Sequence, residues 1–159
     1  MALHKLLVDD FCDTSFSLLA IHCRLEDFRL AYLLNKYLGL NLSRMSHDLD
    51  YKYLAASYSV YEWYNTENEV SWNLISNVCK KEEDALQSSG SLFNTQNKIL
   101  KTYHLLPEYK NVDYLVKITN EAQQLNEKLV LNKIQAIPQI VTSYSIDTEK
   151  LKSKDNLIF

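Results

Sequence analysis

The feature that most constrains this chain is a change of hydrophobic period close to residue 26. Residues 16–23, FSLLAIHC, form an almost continuous apolar run, which is typical of a strand covered on both faces. From Asp27 onwards the apolar residues recur at helical spacing, at Phe28, Ala31, Leu34 and Leu38. Gly39 follows where a helix end needs positive φ. The pattern predicts a buried strand and then a helix of about three turns.

Several further segments are predicted to form strands. Alternation over residues 40–45 predicts a half-buried strand, and residues 53–78 predict an antiparallel hairpin around the polar turn 65–69. In that hairpin we expect a polar outer face, with Trp63 and Trp72 meeting across the strands. The charged and small residues of 80–97 predict a surface loop.

The second half of the chain predicts two more strands, a helix and a final strand. Residues 99–106 and 113–119 are expected to form a strand pair joined by a short connection. Asn120 is expected to cap the second helix, with Gln123 completing a capping box and Pro138 ending the helix. The predicted apolar side of this helix contains Ala122, Leu125, Leu129, Ile134 and Ile137. Residues 141–146 predict the last strand, and 148–159 a C-terminal tail.

The order of these segments indicates the fold class. The 159 residues contain two glycines and two prolines, and they show no repeat and no flexible linker, so we predict a single domain over residues 1–159. Consecutive strands with short polar turns favour an α+β fold, with a mainly antiparallel sheet and two helices packed on one face.

The composition limits the cellular compartment and the classes of partner that we expect. The net charge of −3 argues against nucleic acid, because its binders usually carry a basic surplus. No apolar stretch approaches the roughly 20 residues that span a bilayer, and the N-terminus lacks the basic region of a secretory signal. Three cysteines without short spacing suit free thiols in a reducing compartment. We expect a cytoplasmic protein that does not bind membranes.

Residues 106–114, LPEYKNVDY, lie between two apolar runs. The pattern Pro-Glu-x-x-x-Val-Asp-Tyr resembles the signature of the IPExxxVDY family, with leucine replacing the isoleucine of the family name. The resemblance implies a small bacterial protein from a family without an assigned activity. It marks the motif positions Leu106, Pro107, Glu108, Val112, Asp113 and Tyr114, and it implies no role for any of them.

The motif also holds the first candidate for chemistry. Glu108 and Asp113 flank the connection, and two carboxylates in different environments can divide acid and base roles, with His104 close by on the preceding strand. The alternative, which the residue types favour, is structural. In that interpretation Asp113 caps or hydrogen-bonds the turn backbone, and Glu108 pairs with Lys110 or with a basic group nearby.

Cysteine and histidine supply weaker candidates. His22, Cys23, Cys79 and His104 lack the local ligand pairs of structural zinc, so we predict neither a metal nor a cofactor. Cys23 next to His22 could serve as a nucleophile, but a buried thiol is the more typical state. Glycine-rich phosphate loops are absent from the sequence.

Aromatic residues supply the leading functional hypothesis. Tyrosine and tryptophan are enriched at protein interfaces, and the candidate interface residues are Tyr58, Tyr61, Trp63, Tyr64 and Trp72. We expect a non-enzymatic binding module that meets a protein partner or a second copy of itself. The alternatives are a small enzyme that uses Glu108 and Asp113, and an RNA-binding module.

Overall fold

The computed structural model describes residues 15–51, 56–84, 98–120 and 125–159. The strands of these residues are β1 (Phe16–Cys23), β2 (Ser43–Arg44), β3 (Leu49–Asp50), β4 (Ser57–Tyr58), β5 (Val60–Asn65), β6 (Val70–Ser76), β7 (Val78–Asp84), β8 (Lys98–His104), β9 (Tyr114–Asn120) and β10 (Ile140–Ile146). The helices are α1 (Asp27–Leu38) and α2 (Glu127–Gln135). The predicted α+β class with a mainly antiparallel sheet is confirmed.

The main sheet has six strands in the order β10-β1-β9-β6-β5-β2, and all neighbouring strands are antiparallel. β1 lies between β10 and β9, so Leu19 faces Ser145 on one side and Val116 on the other. Leu18 and Leu19, which point to opposite faces, both have no exposed surface. The prediction of a strand buried on both faces is therefore confirmed.

The two helices cover one face of this sheet, as the sequence predicted. Leu30 and Leu34 of α1 and Ile134 of α2 pack in a single buried cluster with Leu19 and Ile21 of β1. Each such side chain contributes about 1.5–3 kcal/mol by leaving water. This first core therefore fixes both helices against the centre of the sheet.

A second core fills the opposite face, and irregular segments cover it. Leu18 and Leu115 of the sheet pack there with Val112, Leu151 and Leu157. Because Leu157 has no exposed surface and Leu151 is 9% exposed, this part of the predicted tail belongs to the folded body, and that prediction is corrected. If this segment detached, Leu151 and Leu157 would be exposed to water, and the transfer free energy gained by their burial would be lost.

Lys117 of β9 anchors the same C-terminal segment. Its Nζ donates a 2.6 Å hydrogen bond to the Leu157 carbonyl oxygen and lies 5.0 Å from the Phe16 ring and 4.6 Å from the Phe159 ring. Burial lowers the pKa of Lys117. Cation–π contacts offset part of the cost of desolvating the ammonium group.

One helix has the predicted bounds and the other begins late. α1 ends where Gly39, at φ 70°, donates its N–H to Asn35. α2 is capped by Asn126, whose side chain accepts from the Leu129 N–H, whereas Asn120 is the last residue of β9. The predicted cap is therefore wrong, because Asn120 continues the sheet ladder opposite Val70. Gln123 and Ala122 lie outside the described residues.

The later start shifts the buried stripe of α2. Leu129 is 52% exposed, while Val130 is 8% exposed and Ile134 fully buried. The helix ends at Gln135, before Pro138 as expected. The following strand, β10, begins one residue earlier than predicted, at Ile140.

Two strand predictions also need correction. Only Ser43–Arg44 of the predicted strand 40–45 joins the sheet. The predicted strand pair around the motif does not exist, since β8 pairs with β7 and β9 pairs with β1 and β6. The connection between β8 and β9 is a 3-10 turn over Pro107–Tyr109, and it carries the chain from one sheet to another.

β7 and β8 form a separate two-stranded ribbon. Residues 80–84 of the predicted loop lie in β7, because their charges find partners across the ribbon. Lys98 pairs with Glu82 at 3.3 Å, and Glu83 pairs with Lys101. The remaining residues of that predicted loop, 85–97, lie outside the described part of the chain.

Candidate functional site

The motif is organised by Asn77, the residue between β6 and β7. Its side-chain Nδ2 donates to the carbonyl oxygens of Tyr109 and Val112, at 2.9 and 2.8 Å. Its Oδ1 accepts from the Leu106 N–H at 2.8 Å. Asn77 is fully buried, so these bonds satisfy polar groups that water does not reach. The motif loop is therefore held from inside the protein.

The main chain of Asn77 extends the same network. Its N–H donates to the carbonyl oxygen of Asp113 at 2.9 Å, and its carbonyl oxygen accepts from the Leu105 N–H at 2.9 Å. The sequence analysis did not single out this residue. An asparagine between two strand-like runs was the available signal, because its amide can both donate to and accept from the backbone.

Pro107 and Glu108 begin the motif. Pro107 stands at the start of the 3-10 turn, where its fixed φ suits a helical turn and no N–H is needed. Glu108 Oε1 accepts from the N–H groups of Lys152 and Ser153, both at 3.0 Å. Glu108 Oε2 accepts from the Ser153 hydroxyl at 2.7 Å. The carboxylate therefore ties the motif to the C-terminal segment, and the predicted pairing with Lys110 is not observed.

These contacts set the charge state of Glu108. Partial burial alone would raise its pKa, but the hydrogen bonds from Ser153 and Lys152 outweigh burial and lower the pKa below its usual value. Bonds donated to a carboxylate favour its charged form. A general acid needs the opposite shift, so the lowered pKa argues against that role for Glu108.

Asp113 and Tyr114 end the motif at β1. Asp113 Oδ2 accepts from the Cys23 N–H at 3.0 Å, and its own N–H donates to Ile21 at 3.2 Å. The Tyr114 hydroxyl donates to the Leu25 carbonyl oxygen at 2.7 Å. Both side chains thus bind the backbone between β1 and α1, where the β1–β10 register shifts by a bulge at His22/Cys23.

The predicted acid–base group is not assembled. Glu108 binds the C-terminal segment, Asp113 binds the end of β1, and His104 lies opposite Val78 at the base of the ribbon. Within the described residues no hydrogen bond joins any two of them. Asp113 does accept from a backbone N–H, but that group belongs to Cys23 of β1 and not to the turn as the structural interpretation expected.

An open cleft of about 510 Å³ lies beside Asp113 and Tyr114, where the ribbon leaves the main sheet. Arg24 and Lys80, both exposed, add positive charge to its rim. Cys23 also lines it. Burial raises the pKa of the Cys23 thiol, a bonded backbone group at Leu25 lowers it, and the charge of Asp113 raises it. The net rise keeps the thiol protonated, which is unfavourable for a nucleophile.

The histidines and cysteines are dispersed. Cys23 lies in the first core and Cys79 in the second, on opposite faces of the sheet. His22 Nε2 lies 3.3 Å from the Tyr144 hydroxyl. Across the described ranges, no group of three or more histidine, cysteine or acidic side chains is placed to hold a metal ion.

The β5–β6 hairpin has the predicted register, with Trp63 opposite Trp72. However, Tyr58, Tyr61 and Trp72 are 2%, 8% and 7% exposed. Tyr58 packs in the second core, and Tyr61 and Trp72 pack in the first with Trp63 against them. Tyr64 is 57% exposed. Tyr64 and Glu62 are exposed on the face of β5 that points away from the first core, so a polar outer face is present there. The expectation of a shared aromatic surface is corrected, because Tyr58, Tyr61 and Trp72 are buried.

The ribbon exposes apolar groups, as α1 does at Phe28 and Tyr32. Ile99 is 49% and Leu100 59% exposed, and consecutive strand residues point to opposite faces. Their neighbours are charged, since Ile99 faces Glu83 and Leu100 faces Glu82. Hydrogen bonds from Lys101 and Tyr103 lower the pKa of Glu83. The ribbon thus exposes one apolar side chain on each face, and charged side chains that form ion pairs surround both.

Comparison with known proteins leaves the chain without an assigned family. No protein-family model matches it, and neither a curated protein nor a solved structure is significantly similar to it. Among the helices of the described residues, none has both the length and the apolar character needed to cross a bilayer.

Proposed function

We propose that this protein is a non-enzymatic module that binds a protein partner through the β7–β8 ribbon. The observation that carries the proposal is the exposure of Ile99 and Leu100 on opposite faces of a ribbon outside the main sheet. Two-stranded ribbons are marginally stable alone, and each face of this ribbon leaves one large apolar side chain in water. A partner that covers both faces would bury apolar groups that folding leaves in water.

The charges of the ribbon indicate the chemistry of the partner. Glu82 and Glu83 pair with Lys98 and Lys101, so the ribbon offers both signs of charge rather than a basic stripe. Nucleic-acid binding depends on net positive charge, and this pattern does not favour it. An apolar groove with a mixed polar rim is the complementary surface.

The motif supports a binding role over catalysis. The polar groups of Glu108, Asp113 and Tyr114 all form hydrogen bonds with the backbone or with Ser153. These residues therefore stabilise the fold near the point where the ribbon begins. A catalytic pair would need a shared concave site. We therefore favour the binding module over the small enzyme.

The proposed setting is the bacterial cytoplasm, and the proposed relatives are the IPExxxVDY proteins. Cys23 and Cys79 are free thiols in separate cores, as suits a reducing compartment. The proposal of these relatives rests on the sequence motif, in which Pro107, Glu108 and Asp113 each hold a separate structural position.

Affinity purification from cells that express the tagged chain tests the proposal. We expect a stoichiometric protein partner with the parent chain and its loss with the Ile99→Ser, Leu100→Ser double variant. Leu129→Ser on α2 is the matched control, because Leu129 is also an exposed apolar residue, at 52%, and this variant should retain the partner.

Other outcomes of that experiment would contradict the proposal. Equal recovery of the partner with the double variant would place binding elsewhere. A retained small molecule without protein would favour a pocket, and a partner lost on nuclease treatment would favour the RNA-binding alternative.

A further inference from the structure

Two hydroxyl groups line the open cleft at the root of the ribbon. Ser76 and Tyr114 lie directly opposite each other on β6 and β9, so their side chains project from the same face of the sheet, and both line the cleft. The Ser76 hydroxyl donates to the Val78 carbonyl oxygen at 2.9 Å, and the Tyr114 hydroxyl donates to the Leu25 carbonyl oxygen at 2.7 Å. A hydroxyl has one proton and two lone pairs. Towards a further group, these two hydroxyls can therefore only accept.

Asp113 adds a negative charge beside these hydroxyls, since it also lines the cleft. Its Oδ2 accepts from the Cys23 N–H at 3.0 Å, whereas its Oδ1 accepts no hydrogen bond from the residues that the structure describes. Ser76, Asp113 and Tyr114 thus form a cluster of acceptors, which we call the acceptor cluster. An ammonium group carries three N–H donors and one positive charge, so it is the ligand group that matches this cluster.

The rim of the cleft has the opposite charge. Arg24 follows β1, and Lys80 lies two residues after Val78 and therefore on the same side of β7; all three line the cleft. Within the described ranges neither cation forms an ion pair, whereas two other lysines of the ribbon do. A carboxylate held by Arg24 and Lys80 gains charge-assisted hydrogen bonds.

We propose that this cleft binds a free α-amino acid with an apolar side chain. The α-ammonium group donates to the acceptor cluster, and the α-carboxylate accepts from Arg24 and Lys80. A ligand with only a carboxylate meets the charge of Asp113, and one with only an amine meets the two cations, so a zwitterion is the class that matches both. Leu25 and Val78 line the cleft and contact the apolar side chain. The cleft volume of about 510 Å³ lies within the range of roughly 300–1,000 Å³ for small-molecule sites.

Titration of the isotopically labelled chain with L-leucine, L-valine and L-methionine tests the site through amide chemical shifts. We expect saturable shifts at Ser76, Lys80 and Asp113. The amide of the tightest-binding amino acid lacks the carboxylate, and its N-acetyl derivative lacks the ammonium group. Each derivative should bind at least about tenfold more weakly, because one set of charge-assisted bonds is lost. No shifts with any of the three amino acids at millimolar concentration, or equal binding of the derivatives, would overturn the proposal.

Variants of the rim test the same site with a matched control. Lys80→Gln should raise the dissociation constant at least about tenfold. Lys81→Gln is the control, because Lys81 points to the opposite face of the ribbon and is not among the residues that line the cleft. Unchanged affinity in Lys80→Gln, or an equal loss in Lys81→Gln, would contradict the assignment.

The site can also be separated from the fold and from the ribbon surface. Asp113→Asn removes the charge but keeps an amide oxygen for the Cys23 N–H, so it should weaken binding while urea unfolding shows a folded chain. The Ile99→Ser, Leu100→Ser double variant should bind the amino acid as the parent does. Failure of the ribbon to bind a protein partner therefore leaves this result unaffected.

Discussion

The side-chain amide of Asn77 donates a 2.8 Å hydrogen bond to the carbonyl oxygen of Val112 across a sequence separation of 35. The same amide bonds Tyr109 and Leu106, so one side chain closes both ends of the motif loop. This relationship makes the motif a structural device whose key residue lies outside it.

Replacement of Asn77 should therefore destabilise the protein more than its size suggests. In Asn77→Ala, the buried Leu106 N–H and Val112 carbonyl oxygen lose their side-chain partner, and each unsatisfied group costs about 1–3 kcal/mol. We expect the free energy of unfolding in urea to fall by about 2–4 kcal/mol. Asn132→Ala, on the exposed side of α2, should change it by less than about 0.5 kcal/mol. Equal effects of the two variants would contradict this role.

The C-terminal segment offers a neighbouring pair of side chains for a second prediction. Leu157 has no exposed surface and Ile158 is 69% exposed. Leu157→Ala should reduce the free energy of unfolding by about 2–4 kcal/mol, because it leaves a cavity in the second core. Ile158→Ala should have little effect in the same urea titration. A negligible cost for Leu157→Ala would show that the segment is dispensable.

Glu108 predicts a dependence of stability on acid. Its pKa is lowered in the folded chain, so its contribution is present above the unfolded value of about 4.3 and is lost as the pH falls through the folded value. Glu108→Gln should thus be less stable than the parent at pH 7, and the difference should shrink below about pH 4. Urea unfolding at several pH values measures it. Glu67→Gln, a turn residue, is the charge-matched control, and a constant gap between Glu108→Gln and the parent would oppose the prediction.

Tyr58 predicts a dependence on alkali. Burial first, and then the nearby Cys79 and Tyr51, raise the pKa of Tyr58 to about 12. Above pH 10 the unfolded chain releases this proton and the folded chain keeps it, so stability falls by up to about 1.4 kcal/mol per pH unit. Tyr58→Phe should make the decline between pH 10 and pH 12 shallower. Tyr64→Phe, at an exposed ring, should leave the slope as in the parent, and identical slopes in all three chains would refute the assignment.

The sequence predicted the elements whose pattern is local. β1 and α1 have the expected bounds because an apolar run and a helical stripe, ended by Gly39, identify them without reference to the rest of the chain. The facing of Trp63 and Trp72 followed from the turn between their strands. Two helices on one face followed from the order of the elements.

The sequence could not predict features that depend on distant contacts. Asn120 resembles a helix cap until Val70 is known to lie opposite it. The charged residues of β7 predict a loop when they are considered alone, because their ion-pair partners Lys98 and Lys101 lie on another strand. The aromatic hairpin was predicted to be a surface because the first core, which buries Tyr61 and Trp72, is closed by helix residues such as Ile134, far along the chain. The partners of Glu108 and Asp113, which are Ser153 and Cys23, could not be predicted because they lie far away in the sequence.

The position of Asn77 has a consequence for the kinetics and entropy of association. The chain passes from the main sheet to the ribbon across this single residue, and five hydrogen bonds meet there. Because these bonds hold the root of the ribbon, its capture by the proposed partner would cost little orientational entropy. Asn77 would then affect the affinity for the partner without contacting it. Replacement of Asn77 would slow association and weaken binding.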